Sequence, residues 1–174
     1  MGYWNTRGLR GSALEEQINL TNEVYKQRNL AIIQKIPTPI TPVRFDKESK
    51  NITLAYFEQK STVDYIGAVQ GVPICFDAKE VSEKRLPLQN IHGHQIEFME
   101  MFVKQQGVAF LLVHFAKLGE YYYLPFETLK FHWQKAEQGG RKSIAYADFD
   151  KTLAVNVKDG IVHYLEALAK FLEG

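Results

Sequence analysis

The chain has a single cysteine, Cys75, among its 174 residues. No intrachain disulfide can form, and nothing points to an oxidising compartment. Cys75 lies in the apolar run Val72-Pro73-Ile74-Cys75-Phe76 and reads as a core thiol. An excess of either charge is also missing: 21 Lys plus Arg stand against 20 Asp plus Glu, a formal net charge of +1. That excludes a bulk basic surplus as the means of holding a polyanion, so any such site is a local patch. Long apolar runs are absent too. The longest, Val108 to Phe115, contains His114 and spans about half of the roughly 20 residues a membrane helix needs, and the polar N-terminus offers no hydrophobic signal region. The expectation is a soluble intracellular protein with no membrane partner. With 45% apolar and 24% charged residues, residues 1–174 are read as one domain.

Leu14, Ile18, Thr21 and Tyr25 recur at helical spacing, and Ser12 followed by Glu15 has the form of a capping box, so a helix is expected from about Ala13. Leu30 to Ile33 reads as a short buried strand. Three of the six prolines then crowd into Ile36 to Pro42, which forbids helix and central strand alike. The polar stretch Asp46 to Asn51 predicts a turn, and Ile52 to Phe57 a returning strand. Residues 35–57 are therefore expected to form a protruding hairpin-like arm. Strands over Tyr65–Val69 and Val72–Lys79 joined by Gln70-Gly71 suggest a hairpin. A helix follows from about Asn90 to Gln106, with Ile91, Gln95, Phe98 and Phe102 on one face and Gly107 as its stop. Val108–Phe115 and Tyr121–Leu124 read as paired strands, Phe126–Gln138 as a helix closed by Gly139-Gly140, and Asp159–Leu172 as a final helix. This order indicates an α/β fold, a mixed β-sheet flanked by helices.

The chemistry concentrates in Thr62-Val63-Asp64-Tyr65 and Cys75-Phe76-Asp77-Ala78-Lys79. Alternation along a strand puts Asp77 and Lys79 on one face and Phe76 and Ala78 on the other. An acid at the end of so apolar a run needs a partner or a metal. Asp64 from the neighbouring strand completes a two-carboxylate site suited to Mg²⁺, which takes oxygen ligands and keeps waters for a substrate phosphate to replace. The competing reading is a simple Asp77–Lys79 surface ion pair. Gln95 falls in the apolar stripe of its helix, where an amide needs a polar partner. His92 and His94, two residues apart, cannot share a helix face as metal ligands.

An acid followed downstream by (Asp/Glu)-X-Lys on a hairpin resembles the PD-(D/E)XK nucleases. Further matches are Arg10-Gly11, Leu14-Glu15, Thr21-Asn22, Lys35 with Pro37-Thr38-Pro39, Ala55-Tyr56-Phe57, Asp64-Tyr65, Ala78-Lys79-Glu80, Pro87-Leu88-Gln89-Asn90, His94-Gln95-Ile96-Glu97 and Gly140-Arg141-Lys142-Ser143-Ile144. Together they resemble the RecU family of Holliday junction resolvases over roughly residues 10–144. The resemblance implies a restriction-endonuclease-like fold with a stalk, and a homodimeric endonuclease that nicks four-way junction DNA symmetrically during recombination and repair. One or two Mg²⁺ ions per site are implied, with Mn²⁺ as a substitute, and action in the cytoplasm at the nucleoid. By residue, it implies Asp64 and Asp77 as metal ligands, Lys79 as the group that holds the attacking water, and Thr62 and Gln95 as lining the metal site. Glu15 corresponds to the acid that the first helix contributes in the superfamily, although a capping role explains it equally well. Where this chain has Asp77, the resembling members have Glu, longer by about 1.5 Å. For phosphate contact the candidates are Arg10, Lys35, Arg44, Lys47, Lys50 and Lys60 in the first part of the chain, and Arg141 and Lys142 in a glycine-preceded loop. A PD-(D/E)XK nuclease acting on ordinary duplex DNA, and a catalytically weak junction-binding protein, are the two alternatives.

Overall fold

The structure is a computed structural model and describes residues 13–57 and 62–174. Ser12 of the expected capping box, Arg10 and Lys60 lie outside the described residues. The first helix, α1 (Ala13–Gln27), buries Leu14, Ile18, Thr21, Asn22 and Tyr25. The strands that follow are β1 (Ile32–Lys35), β2 (Ile40–Asp46), β3 (Asn51–Phe57), β4 (Tyr65–Val69), β5 (Val72–Val81) and β6 (Arg85–Pro87). Then come α2 (Gly93–Lys104), β7 (Val108–Phe115), β8 (Glu120–Pro125), α3 (Phe126–Glu137), β9 (Ser143–Ala145), β10 (Ala154–Val155), β11 (Val157–Lys158), β12 (Ile161–Val162) and α4 (Tyr164–Glu173).

Six strands make one sheet in the order β1-β4-β5-β7-β8-β10. The β5–β7 pair is parallel, with α2 in the crossover, and the other pairs are antiparallel. This is the mixed sheet flanked by helices that the sequence predicts. Helices cover both faces, which explains why β7 is apolar at nearly every position. Ala109, Leu111 and Val113 turn toward α2 and α3, while Phe110 and Leu112 turn toward α1 and α4. On the α1/α4 face an aromatic ladder runs across four strands. Tyr65–Phe76, Phe76–Phe110 and Phe110–Tyr123 stack with centroids 4.8, 4.7 and 4.3 Å apart, each pair adding to the plain area buried.

The β4–β5 hairpin turns through Gln70 (φ 48°) and Gly71 (φ 90°), the two positive-φ positions of a type I′ turn. On the outer side of β4, Gly67 is required by close approach, because a Cβ there would meet the Ile32 carbonyl oxygen at 2.1 Å. Between β1 and β4, β2 and β3 form a separate two-stranded sheet. Its apolar residues Ile40, Val43, Phe45, Ile52, Leu54, Tyr56 and Phe57 are 45–73% exposed.

The structure departs from the sequence expectations in three places. The run Leu30–Ile33 is not a buried strand: β1 is an edge strand shifted toward Lys35, with Ile32 69% exposed. Helix α2 starts at Gly93, so Ile91 lies in the turn before it. Helix α4 starts at Tyr164, because Asp159 (φ 52°) and Gly160 (φ 77°) make the tight turn of the β11–β12 hairpin. Cys75 is fully buried, and burial pushes its thiol up to about 12.

Candidate active site

Alternation along β5 sends Cys75, Asp77 and Val81 to the face packed by α2 and α3. Asp77 has no exposure there. Its Oδ1 accepts the backbone N–H of Asp64 at 2.7 Å, its Oδ2 accepts the Gln95 side-chain amide, and the Lys79 ammonium lies 3.1 Å from the same oxygen. Three donors thus replace the water that the carboxylate has lost at this depth. Asp64 reciprocates across the strand pair, its Oδ2 accepting the backbone N–H of Ala78 at 3.1 Å. Each aspartate therefore locks the backbone that carries the other, and the two carboxylates lie side by side.

Gln95 is 6% exposed on the first turn of α2. Its Oε1 accepts the His92 N–H at 3.0 Å, which is the return half of a capping box. That bond orients the amide so that its nitrogen faces Asp77. The sequence reading weighs His92 only as a metal ligand, although a residue at the helix entry followed three positions later by Gln is the capping-box spacing. Thr62 is half-buried in the loop two residues before Asp64.

The electrostatics favour a cation. Burial above all, then the Asp77 charge, raise the Asp64 carboxyl from 3.8 to about 6, with Glu15 adding a smaller push. The Ala78 N–H and Lys79 only partly offset this. Two carboxylates facing one ammonium leave negative charge uncompensated. No cluster of three or more His, Cys, Asp and Glu side chains suited to an ion exists among the described residues. A cation here would thus take Asp64 and Asp77 and complete its shell with water and substrate oxygens, as Mg²⁺ prefers. The donor set fits that ion.

Glu15, on α1, is 2.5 Å from the Lys35 ammonium at the end of β1. Its main chain accepts the Tyr65 hydroxyl at 3.4 Å. Arg44, Lys47 and Lys50 are exposed on the arm. Arg141 is 3.7 Å from Asp148, and the Lys142 carbonyl accepts the Leu88 N–H at 3.0 Å, which fastens that loop to the turn leading into α2. The structure thus brings Asp64, Asp77, Lys79 and Gln95 into one cluster. Glu15 and Lys35 are paired beside it, and the arm cations form a separate group.

Comparison with known proteins gives the chain a family. A relative from Leuconostoc citreum, "Holliday junction resolvase RecU", is 46% identical over 147 residues, 82% of this chain and 71% of its own length. One of the same name from Geobacillus kaustophilus is 44% identical over 82% of this chain and 73% of its own. Another, from Oenococcus oeni, is 43% identical over 94% and 86%. Among solved structures, the Archaeoglobus fulgidus Hjc resolvase aligns with a TM-score of 0.42 and 10% identity, covering 67% of this chain and 73% of that one. Residues 9–170 match the family model described as Recombination protein U, and the chain therefore belongs to the RecU family.

Proposed function

We propose that this chain is a Mg²⁺-dependent endonuclease that resolves four-way DNA junctions by paired symmetric nicks in recombination and repair. The observation that carries this reading is the buried Asp77 carboxylate, gripped by the Asp64 N–H, Gln95 and Lys79 and abutting a second carboxylate whose charge the Ala78 N–H and Lys79 only partly offset. The family membership and the names of the relatives support the substrate. Asp64 and Asp77 would hold the ion, Thr62 and Gln95 line its site, and Mn²⁺ substitutes. A bound divalent ion supplies Lewis-acid stabilisation of phosphate charge and a more acidic attacking water.

The remaining chemistry belongs to the side chains. Lys79 is 17% exposed and tied to Asp77 at 3.1 Å; its ammonium would meet the reacting phosphate, orient the water and stabilise charge developing on the non-bridging oxygens. Gln95 keeps Asp77 in position. Asp64 and Asp77 place negative charge where a cation is needed, and Arg141 and Lys142 contact the phosphate backbone next to α2. Residues 1–174 act as one nuclease domain working in the cytoplasm at the nucleoid.

Two such domains related by a two-fold axis match the two-fold symmetry of a four-way junction, so the acting form is a homodimer. The arm over residues 35–57 serves as its stalk. Its exposed apolar residues and the cations Arg44, Lys47 and Lys50 suit contact with a partner subunit and with the open centre of the junction. The test is a labelled mobile four-way junction and a linear duplex of the same sequence, each incubated with Mg²⁺ or with Ca²⁺. The proposal expects paired nicks in the junction with Mg²⁺ and an intact duplex. Equal cutting of both selects a duplex nuclease, and binding without cutting selects a junction-binding protein.

A further inference from the structure

The ladder with β4 covers only Val72–Phe76, whereas β7 follows β5 to Val81. Beside the end of β5 lies a cleft of about 310 Å³, walled by Glu80, Glu83, Arg85, Gln89 and Asn90 among others. Its size is at the lower end of small-ligand sites, roughly 300–1,000 Å³.

Two links fix this cleft next to the catalytic carboxylates. On the strand side, Val81 lines the cleft and lies two residues beyond Lys79 on the same face of β5. On the helix side, Asn90 is two residues before His92, whose N–H is held at 3.0 Å by the amide that also grips Asp77. From Asp77 to Val81 the strand advances about 13 Å, the rise of about four nucleotides along one DNA strand.

Charge and hydrogen bonding decide what the cleft accepts. Glu83 is paired with Arg85 at 2.7 Å, and Glu80 is bonded to His114 at 2.9 Å. The Glu80 carboxylate thus lies with His114 on the opposite face of the sheet, and among the described residues lining the cleft the one cation, Arg85, is already paired with Glu83, which leaves little to hold a phosphate. The side-chain amides of Gln89 and Asn90 are exposed and have no hydrogen-bond partner among the described residues. Each presents both a donor and an acceptor, and a carboxylate beside them accepts from an exocyclic amine, which is the vocabulary of base-edge recognition.

We propose that this cleft receives the edge of a base within about four nucleotides of the scissile phosphate and thereby sets which sequences within a junction are cut. This rests on the junction-nuclease reading, and one assay separates the two. The unaltered protein is given Mg²⁺ and a four-way junction whose mobile core is randomised, and the product ends are sequenced. The expected result is a base preference of about 5- to 100-fold near the cut, the discrimination of one good base contact. The double variant Gln89→Ala, Asn90→Ala should flatten that preference while total nicking of the pool stays within a few-fold. Gln89→Glu, which keeps the size and removes the donor, should shift the preference, and it carries the test if circular dichroism shows the double variant unfolded. Cutting by the unaltered protein without base preference overturns the proposal, as does an unchanged preference in the folded variants. Absence of any Mg²⁺-dependent nicking by the unaltered protein refutes the nuclease reading itself.

Discussion

Replacing Asp64 by Asn should stabilise the metal-free protein while removing its cleavage activity. Burial and the neighbouring Asp77 charge raise the Asp64 carboxyl from 3.8 to about 6 in the folded chain. Because the folded value lies above the unfolded one, the native state binds the proton more tightly, and that contribution is complete below about pH 4. It disappears as pH rises through about 6, so at neutral pH the ionised carboxylate is a liability. A shift of about two pKa units corresponds to up to about 3 kcal/mol, or about 1–2 kcal/mol once the part of the carboxylate that reaches water is discounted. Asn keeps the shape and the acceptor for the Ala78 N–H and carries no charge. In EDTA above pH 7, urea or thermal unfolding should find Asp64→Asn more stable by about 1–2 kcal/mol, or roughly 2–8 °C in a chain of this size. The gain should vanish toward pH 4. Millimolar Mg²⁺ should close the gap by binding the unaltered protein preferentially. A variant equally or less stable than the unaltered chain in EDTA at pH 8 would refute the reasoning.

Lys79→Ala should bind a junction normally in gel shifts and lose nicking by at least about a hundredfold, the scale of one transition-state donor; full activity with lowered stability would return Lys79 to a structural ion pair. Asp77→Glu restores the acid of the resembling family members, yet it must fit another methylene into a position with no exposure. It should cost about 1–3 kcal/mol in denaturant unfolding and slow nicking by pulling the carboxylate out of register with Gln95 and Lys79. Replacing residues 44–52 of the arm with a short glycine-rich turn should leave the circular dichroism of the sheet unchanged and abolish the preference for junction over duplex in gel shifts, while an unchanged preference would remove the arm from the mechanism.

The strands that build the site are legible in the sequence because they are doubly buried: β5 and β7 are near-continuous apolar runs, and Asp77 interrupts one of them conspicuously. Gln95 is legible for the same reason, as a lone amide in an apolar stripe. Its orientation is not, because that depends on the backbone of His92, a contact set by where α2 begins. Ile32 misleads because an apolar residue on an edge strand has the same local pattern as one in the core, and only the sheet order tells them apart. The segment 139–163 resists reading because its strands have two or three residues, too few to show a period. Within it, Asp159-Gly160 between Val157 and Ile161 is a strong hairpin signal. The apolar spacing of Ile161 with Leu165 and Leu168 hides that signal by imitating a helix face.

The most direct test of the central claim compares the unaltered protein with Asp77→Asn on a labelled four-way junction, measuring binding in Ca²⁺ and nicking in Mg²⁺ on the same preparations. Asp77 contacts Asp64, Gln95 and Lys79 and supplies charge for a cation. The account therefore predicts junction affinity within a few-fold of the unaltered protein and no detectable nicks in either strand pair. Nicking by a folded Asp77→Asn at more than a few per cent of the unaltered rate would contradict the assignment of the Asp64–Asp77 pair as the catalytic centre.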